Sequence, residues 1–495
     1  MSYFEMQLCS RDTIKRHRIP YALRDMNSSM QTAELGTDYG RQNPWWESGD
    51  VSLSARYHSE RRSDYQHKLN AVRSSQFTTI AGAAGSGKTT ILHQIAHDLI
   101  EDDGVPAQNL MYLPLGNPRF QIGSNVIRDA VDIFATYYWR RDADRGEGYV
   151  LIDDAYASDS WDEQVRWCLE EFDDLTVAVT LPTLNRAQTG PIEDLGVDTE
   201  SDLLLPPKFY DVTTESGRAQ VEKKRVRQLR DALETGADSG DLEPLRSSVD
   251  ALTSSLESTS AVKRGVLDYF RGAEREVDTT DVAHNLESTI YRDIPRYQQF
   301  EDRSDLYALC AIAALNTGKT LGLKDLSGVL ECDRRTLQRY LDILEDFFIL
   351  TPSYQYEHER RRSVRLYLRD PLVIGSLAEL DFDGILEPDA ERLLTSTIVF
   401  DHLKRLGFYY QRQNAQVHFW ESAGEAVDLV VETGNGNPLP IVIRDTSQNR
   451  EPVRSIRGFC DEHDCEFGVV VARDIDPSID EEVATLPLWL LLLVI

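Results

Sequence analysis

The sequence predicts an α/β protein: a parallel sheet built around a phosphate-binding loop, then a helical unit carrying a helix-turn-helix, then a second α/β unit. Three observations lead to this. Gly82-Ala83-Ala84-Gly85-Ser86-Gly87-Lys88-Thr89 spells G-x-x-x-x-G-K-T between an apolar strand and a helix. Strand-like and helix-like segments alternate from 76 to 215, the pattern of a parallel sheet covered on both faces. Two short amphipathic segments on either side of Cys332-Asp333-Arg334-Arg335 have the spacing of two helices joined by a tight turn.

The 495 residues allow roughly three domains of ordinary size. Residues 1–75 read as a polar lead-in, with Asn43-Pro44-Trp45-Trp46 as its one aromatic knot and a helix through Tyr65, Leu69 and Val72 at its end. Over 76–215, strands are expected at Phe77–Ile80, Asn109–Leu113, Tyr149–Ile152 and Leu175–Thr180. Helices are expected after Lys88, around Val126–Tyr138 and around Ser160–Glu171. The loop and this sheet together describe a P-loop nucleoside triphosphatase.

Residues 216–286 read as a helical connector or lid with a flexible break at Gly236–Asp241. Residues 287–370 read as a winged helix: Leu323–Leu330 and Thr336–Leu344 as the helices, then strands Ile349–Thr351 and Val364–Leu368 around a basic tip. Residues 371–495 read as a separate α/β domain with strands at Phe408–Arg412, Val417–Trp420, Val427–Val431, Ile441–Ile443 and Phe467–Val471. Its helices are expected at Glu391–Leu406 and Val453–Glu462, and the apolar run Leu486–Ile495 as a buried terminal strand or helix, about half of what a membrane span needs.

There are 83 acidic against 53 basic residues, a net charge of −30 spread along the chain. Arginine outnumbers lysine and the acids favour aspartate, a composition that suits solubility in very high salt, where self-repulsion is screened. A haloarchaeal cytoplasm is the expected setting, with an acidic surface for basic partners as the alternative. The six cysteines are scattered, with no signal-peptide pattern, so a reducing compartment without a disulfide framework is expected. Cys460, His463 and Cys465 are of zinc-ligand type, but no second ligand pair stands nearby at finger spacing.

The expected chemistry is phosphoryl transfer from ATP to water with Mg2+. Backbone N–H groups of Gly82 to Thr89 and Thr90 would curl round the phosphates at a helix N-terminus, and Lys88 would reach the outer ones. The Thr89 hydroxyl would ligate Mg2+, and Asp153, ending the strand Tyr149-Val150-Leu151-Ile152, would hold it through water. Asp154 is the candidate to orient the attacking water, although aspartate is one methylene shorter than the glutamate more often found there. Thr180, ending its own strand, stands where a polar sensor of the γ-phosphate belongs, and Arg186 follows as a candidate charge sensor.

The chain resembles prokaryotic AAA-type ATPases that carry a winged helix and a C-terminal restriction-endonuclease-like domain of unknown function. The resemblance rests on the Gly82 loop, Asp153-Asp154, Trp161, Pro206-Pro207-Lys208-Phe209, Tyr291-Arg292-Asp293-Ile294 and the run Thr336–Glu345, in that order. It implies a nuclease-like C-terminal fold whose active members use Glu, Asp and a Glu-x-Lys strand. Glu387 and Asp428 match the first two. The third reads Val442-Ile443-Arg444, with Asp445 beyond. Valine cannot ligate metal and arginine cannot shuttle a proton, so this domain is expected to be inactive as a nuclease. The resemblance also implies a homo-oligomer or a protein partner, and no membrane. DNA is the partner expected for Arg334, Arg335, Gln338 and Arg339 on the second helix and for Arg360, Arg361 and Arg362 at the wing tip. A protein-binding role remains the alternative for that unit.

Overall fold

The computed structural model describes residues 38–54, 56–121, 123–139, 146–184, 192, 194, 196–215, 220–256, 258–271, 279–297, 302–357, 362–378, 388–411, 416–444, 452–463, 465–473 and 475–494. Arg186, Arg360, Arg361, Glu387 and Asp445 lie outside them.

The first sheet has five parallel strands, β1 (Phe77–Ala81), β2 (Leu110–Pro114), β3 (Gly148–Asp153), β4 (Leu175–Leu181) and β5 (Thr199–Leu203), in the order β2-β3-β4-β1-β5. Every residue of β1, β2 and β3 is buried, as helices on both faces require of near-continuous apolar strands. Strand β5, with Glu200, Ser201 and Asp202, is too polar to be read as a strand from its pattern. It forms because it pairs with the edge of β1, Phe77 opposite Thr199. Insertion of β4 between β1 and β3 brings the carboxyl ends of those three strands side by side, where a ligand-binding crevice forms in open parallel sheets.

The lead-in is part of this core. Trp45 and Trp46 are buried and both indole N–H groups donate to the Leu110 carbonyl, at 3.1 and 2.8 Å. The Asn43 amide donates to the Tyr112 carbonyl at 3.0 Å and accepts from the Tyr112 N–H at 2.6 Å. Strand β2 is the sheet edge, and this segment supplies its unpaired backbone groups with side-chain partners.

The connector is a set of helices, among them Lys223–Ser239, Glu243–Ser255, Thr259–Arg271 and Thr279–Ser288. The break expected at Gly236–Asp241 is no flexible linker. The first helix runs through Gly236, Ala237 and Asp238 and stops at Gly240, whose φ of +68° makes the left-handed cap. Asp238 accepts from Thr433, Asn435 and Asn437 of a distant turn, which an exposed linker residue would not do.

Helices Arg303–Asn316, Leu323–Val329 and Arg334–Asp346 precede an antiparallel hairpin of β7 (Leu350–Ser353) and β8 (Ser363–Leu368), with β6 (Leu321–Gly322) on the other edge of β8. The C-terminal unit is a six-stranded mixed sheet. Its strands are β9 (Val417–Ser422), β10 (Glu425–Glu432), β11 (Pro438–Ile443), β12 (Gly468–Ala472), β13 (Ser478–Ile479) and β14 (Val483–Pro487), ordered β13-β14-β12-β11-β10-β9. The strand expected at Phe408–Arg412 is instead the end of the helix Pro388–Gln411, and packing of that helix along β10 overrides the local β-propensity of Phe408-Tyr409-Tyr410. The terminal run divides at Pro487 into β14 and the fully buried helix Leu488–Leu493. Among the described residues no helix is long and apolar enough to cross a membrane. Cys460 and Cys465 form a disulfide, against the expectation of free or metal-binding thiols, and His463 turns its Nδ1 to Glu357 at 3.0 Å.

The connector, the hairpin and the C-terminal sheet share one continuous apolar core that includes Leu229, Leu245, Leu341, Leu366, Val399, Leu429 and Trp489. A dense ionic knot lies beside it at Asp401, which accepts from Arg369 and Arg405 at 2.7 Å each, with all three side chains nearly inaccessible. Arg405 also donates to the Pro206 carbonyl at 2.9 Å, tying the C-terminal helix to the chain that leaves β5.

Burial alone would raise the Asp401 carboxyl, but the guanidiniums of Arg405 and Arg369 outweigh it and hold the group at about 2. A depressed carboxyl contributes stability above its unfolded value of about 4, which is lost as pH falls from about 4 to 2. Asp401→Asn should cost about 3–5 kcal/mol, because it leaves two buried guanidiniums without an anion. Denaturant unfolding at neutral pH measures the loss, and the gap to wild type should narrow as pH falls through the same range.

Candidate nucleotide-binding site

The phosphate loop leaves β1 at Gly82 and enters the helix Lys88–Glu101, with Gly87 at φ +98° as its N-cap. One of its glycines is required by space and another by backbone conformation. A Cβ on Gly82 would sit 2.2 Å from the Leu204 carbonyl oxygen, and one on Gly85, at φ +77°, would sit 2.9 Å from the Asn285 amide nitrogen. The loop therefore lies flat between the β5 exit and the helix Thr279–Ser288. It ends at the N-terminus of the helix Lys88–Glu101, whose first backbone N–H groups are the kind that take phosphate.

Lys88 is buried, and its ammonium donates to the Gly82 and Ala83 carbonyls at 2.8 and 2.9 Å. Burial pushes its pKa down, while Asp154, Asp153 and Asp293 push it back up. Asp153 sits at the end of β3 and receives three hydroxyls: Thr89 at 2.6 Å and Tyr112 at 2.9 Å on Oδ2, Thr180 at 2.7 Å on Oδ1. The structure thus brings Lys88, Thr89, Asp153 and Thr180 into one cluster. Thr180 also accepts from the Asp154 N–H at 2.8 Å and holds the turn after β3.

Asp154 occupies the left-handed region at φ 55°, an uncommon place for a residue with a side chain and one found at functional sites. Its carboxylate passes over Gly116, where a Cβ would stand 2.5 Å from Oδ2. Burial and the neighbouring Asp153 push it up to about 6, against the pull of Lys88.

Thr89, Thr90, Asp153 and Asp154 line one open pocket with Arg56 and His58 from the lead-in. Its oxygen donors are hard, and the Thr89 hydroxyl and Asp153 lie within 2.6 Å of each other. Among the described residues no group of three or more His, Cys, Asp or Glu could form an all-protein metal cage. Mg2+ needs none, since it is held by one or two carboxylates together with substrate phosphates and water, so the residues present fit Mg2+. A second pocket lies on the other side of the loop, where Ala83–Ser86 face Val282, Asn285 and Leu286, with Phe348 and Ile349 beyond. Its walls are mostly apolar, with Ser86, Asn285, Thr289 and Asp370 as the polar groups.

Several residues at this site carry no signal in the sequence. Tyr112, Arg56 and His58 stand in no motif. Arg62 donates to the Ser86 carbonyl at 3.2 Å and to the Leu205 carbonyl at 2.8 Å, bracing the loop. Arg292 and Asp293, paired at 2.7 Å on the π-helical turn Thr289–Asp293, bear electrostatically on Asp154 and Lys88. The run Tyr291-Arg292-Asp293-Ile294 entered the sequence reading only through the family resemblance, and its place beside Asp154 and Lys88 comes from the fold.

Away from the loop, Gln338 donates to Asp342 at 2.8 Å, and Arg334, Arg335 and Arg339, all exposed, lie on the helix Arg334–Asp346. Asp428 stands within β10 and not at its end. Its Oδ2 accepts from the Ile443 N–H at 2.9 Å, and its backbone carbonyl accepts from the buried Arg365 at 3.1 Å. Arg365 further donates to Glu421 at 2.7 Å and Thr320 at 3.0 Å. Val442 is buried and Arg444 follows the end of β11.

Residues 74–191 match the family model of the AAA domain, and residues 269–383 match that of a domain of unknown function, DUF8612. The first sheet with its loop is therefore an AAA-type P-loop domain. No curated protein matches the chain. Solved structures similar to it include the ORC1 protein of Aeropyrum pernix in complex with DNA, at 12% identity over 70% of this chain and 97% of that one, TM-score 0.28. The Aeropyrum pernix ORC2 protein in ADPNP-ADP complexes is similar at 12% identity over 70% and 98%, TM-score 0.33. PCH-2 of C. elegans is similar at 16% identity over 36% and 47%, TM-score 0.21.

Gly82→Ala should abolish nucleotide binding, because its methyl collides with the Leu204 carbonyl and the loop has to shift away, while the helices and the rest of the sheet stay formed. Titration with a fluorescent ATP analogue reads the loss, and far-UV circular dichroism the fold.

Proposed function

We propose that the protein is an ATPase of the AAA type, hydrolysing ATP with Mg2+ and using its nucleotide state to reposition the helix-turn-helix unit and the C-terminal sheet. The observation that carries this reading is the cluster at Asp153. Its carboxylate gathers Thr89 from the loop helix and Thr180 from β4 within 2.7 Å, beside a buried Lys88. Mg2+, when bound, would offset charge on the phosphates, and Thr89 and Asp153 are the residues to hold it. Lys88 would release the Gly82 and Ala83 carbonyls for phosphate oxygens. Asp154 would orient water from the far side of the pocket.

Coupling to the other units is supported by the second pocket. Its walls come from the loop, from the helix Thr279–Ser288 and from Phe348 and Ile349 at the entry to β7. A shift of the loop there would be met by Phe348 and Ile349, in the segment that joins the second helix of the helix-turn-helix to the hairpin. That unit we read as a winged helix. Arg334, Arg335 and Arg339 on its second helix make DNA its partner, through phosphate contacts. The C-terminal unit we read as a nuclease-like fold without nuclease activity, because Val442 cannot ligate metal and Asp428 is engaged with β11 and Arg365. The acidic composition suits a cytoplasm of high salt, so the assays belong in molar potassium chloride.

A second reading, a nucleotide-gated regulator with little turnover, is favoured by the short side chain at Asp154. Phosphate release separates the two, since a switch would bind ATP and release almost none. Lys88→Ala should abolish ATP binding, and Asp154→Ala should keep it while turnover falls by about 100-fold or more. Unchanged hydrolysis by the Lys88 variant would overturn the assignment. Replacing Arg334, Arg335 and Arg339 by serine should weaken DNA binding regardless of sequence, and lower its logarithmic salt slope by about one for each phosphate that is no longer neutralised.

A further inference from the structure

We propose that Arg56, carried by the segment before the first strand, supplies a positive charge to the outermost phosphate from within the same chain. The inference rests on the nucleotide reading of this site and adds a residue to it. Arg56 lines the open pocket together with Thr89 and Asp153, the residues that would hold the metal, and with Thr90 and Asp154. Among the described residues its guanidinium makes one hydrogen bond, from Nη1 to the Tyr112 hydroxyl at 2.7 Å. Tyr112 in turn donates to Asp153. Arg56 is thus one hydroxyl away from the carboxylate at the centre of the site, and four of its five N–H groups are left for phosphate oxygens.

The placement is built and braced. Tyr57 closes a turn on Ser54 at 3.0 Å, and its ring stacks on His97 at 4.7 Å. Gln94 donates to the backbone carbonyls of His58 and Glu60, at 2.9 and 2.5 Å. Arg61 pairs with Asp98 at 2.6 Å and lies over the rings of Tyr57 and Tyr65 at 5.5 and 4.9 Å. Gln94, His97 and Asp98 all belong to the helix that begins at Lys88. The strap therefore rides on the phosphate-loop helix itself, and Arg56 keeps its place relative to the loop. A charge already held in position costs no reorganisation when negative charge develops on the phosphate, which is what lets such an arginine lower a barrier.

The test compares full-length wild type with Arg56→Ala and Arg56→Lys in the presence of Mg2+. Fluorescence titration gives ATP and ADP affinities, and phosphate release gives turnover. ADP lacks the outer phosphate, so Arg56→Ala should weaken ATP binding about 10-fold while ADP affinity stays within about 2-fold. Turnover should fall by about 1,000-fold. Arg56→Lys should recover part of the ATP affinity, since it restores the charge without the planar fork. An ATP-to-ADP affinity ratio and turnover unchanged by Arg56→Ala would overturn the proposal and leave the nucleotide site standing. Equal loss of ATP and ADP affinity would also overturn it, since that outcome belongs to a strap that only supports the loop. Failure of the wild type to bind either nucleotide would overturn the site reading together with this one.

Discussion

The Asp153 carboxylate organises the first half of the molecule. Three hydroxyls from three different elements end on it: Thr89 from the loop helix, Thr180 from β4 and Tyr112 from β2. A buried carboxylate is tolerated only when its oxygens are satisfied, and here the same bonds that satisfy it set the spacing between strand ends. Asparagine at this position would keep the volume but turn one acceptor into a donor pair, facing hydroxyls that already donate. Charge, spacing and the accessible face of the loop are consequences of one residue at the end of one strand.

The second half is organised by guanidiniums in place of a carboxylate. Arg365 spans the gap between the hairpin and the C-terminal sheet, bonding Glu421, Thr320 and the Asp428 carbonyl while its plane lies over Phe419 at 4.4 Å. Backbone bonds continue the join, with Tyr356 donating to Phe419 at 2.7 Å and Phe419 to Tyr354 at 3.1 Å. Arg369 and Arg405 meet on Asp401, and Arg405 reaches the Pro206 carbonyl. Ion pairs of this depth contribute little net stability when compared with apolar packing, yet breaking one is expensive. They act as fixed points that hold the two sheets in one arrangement, and Pro206, whose carbonyl Arg405 holds, also borders the second pocket.

The element pattern of the first sheet was legible because each strand is a short apolar run between turn residues and each covering helix shows a 3.6-residue stripe. The helices on either side of Cys332 followed from the same stripe. Three local readings failed where a distant partner decides. Strand β5 is polar and exists by pairing with β1. The run Phe408-Tyr409-Tyr410 is helical because it continues a helix lying along β10. The break at Gly236 is helix until Gly240, since Asp238 is claimed by Thr433, Asn435 and Asn437. The cysteines at 460 and 465 carry a metal-like spacing, but Cys460 on the helix Pro452–His463 and Cys465 beyond its end are joined as a disulfide.

By itself the sequence determined the phosphate loop, the lysine and threonine that follow it and the carboxylate pair ending β3. All of these are local: a motif of consecutive residues on a strand–turn–helix, or the last residues of an apolar run. Tertiary structure alone decided what surrounds them. Arg56, Arg62, Tyr112, Asn285 and the Arg292–Asp293 pair reach the site from segments as far apart in the chain as Arg56 and Asp293. No periodicity links them, because a side chain's approach to a site across the fold depends on strand order and helix packing, and neither is written in the spacing of neighbouring residues.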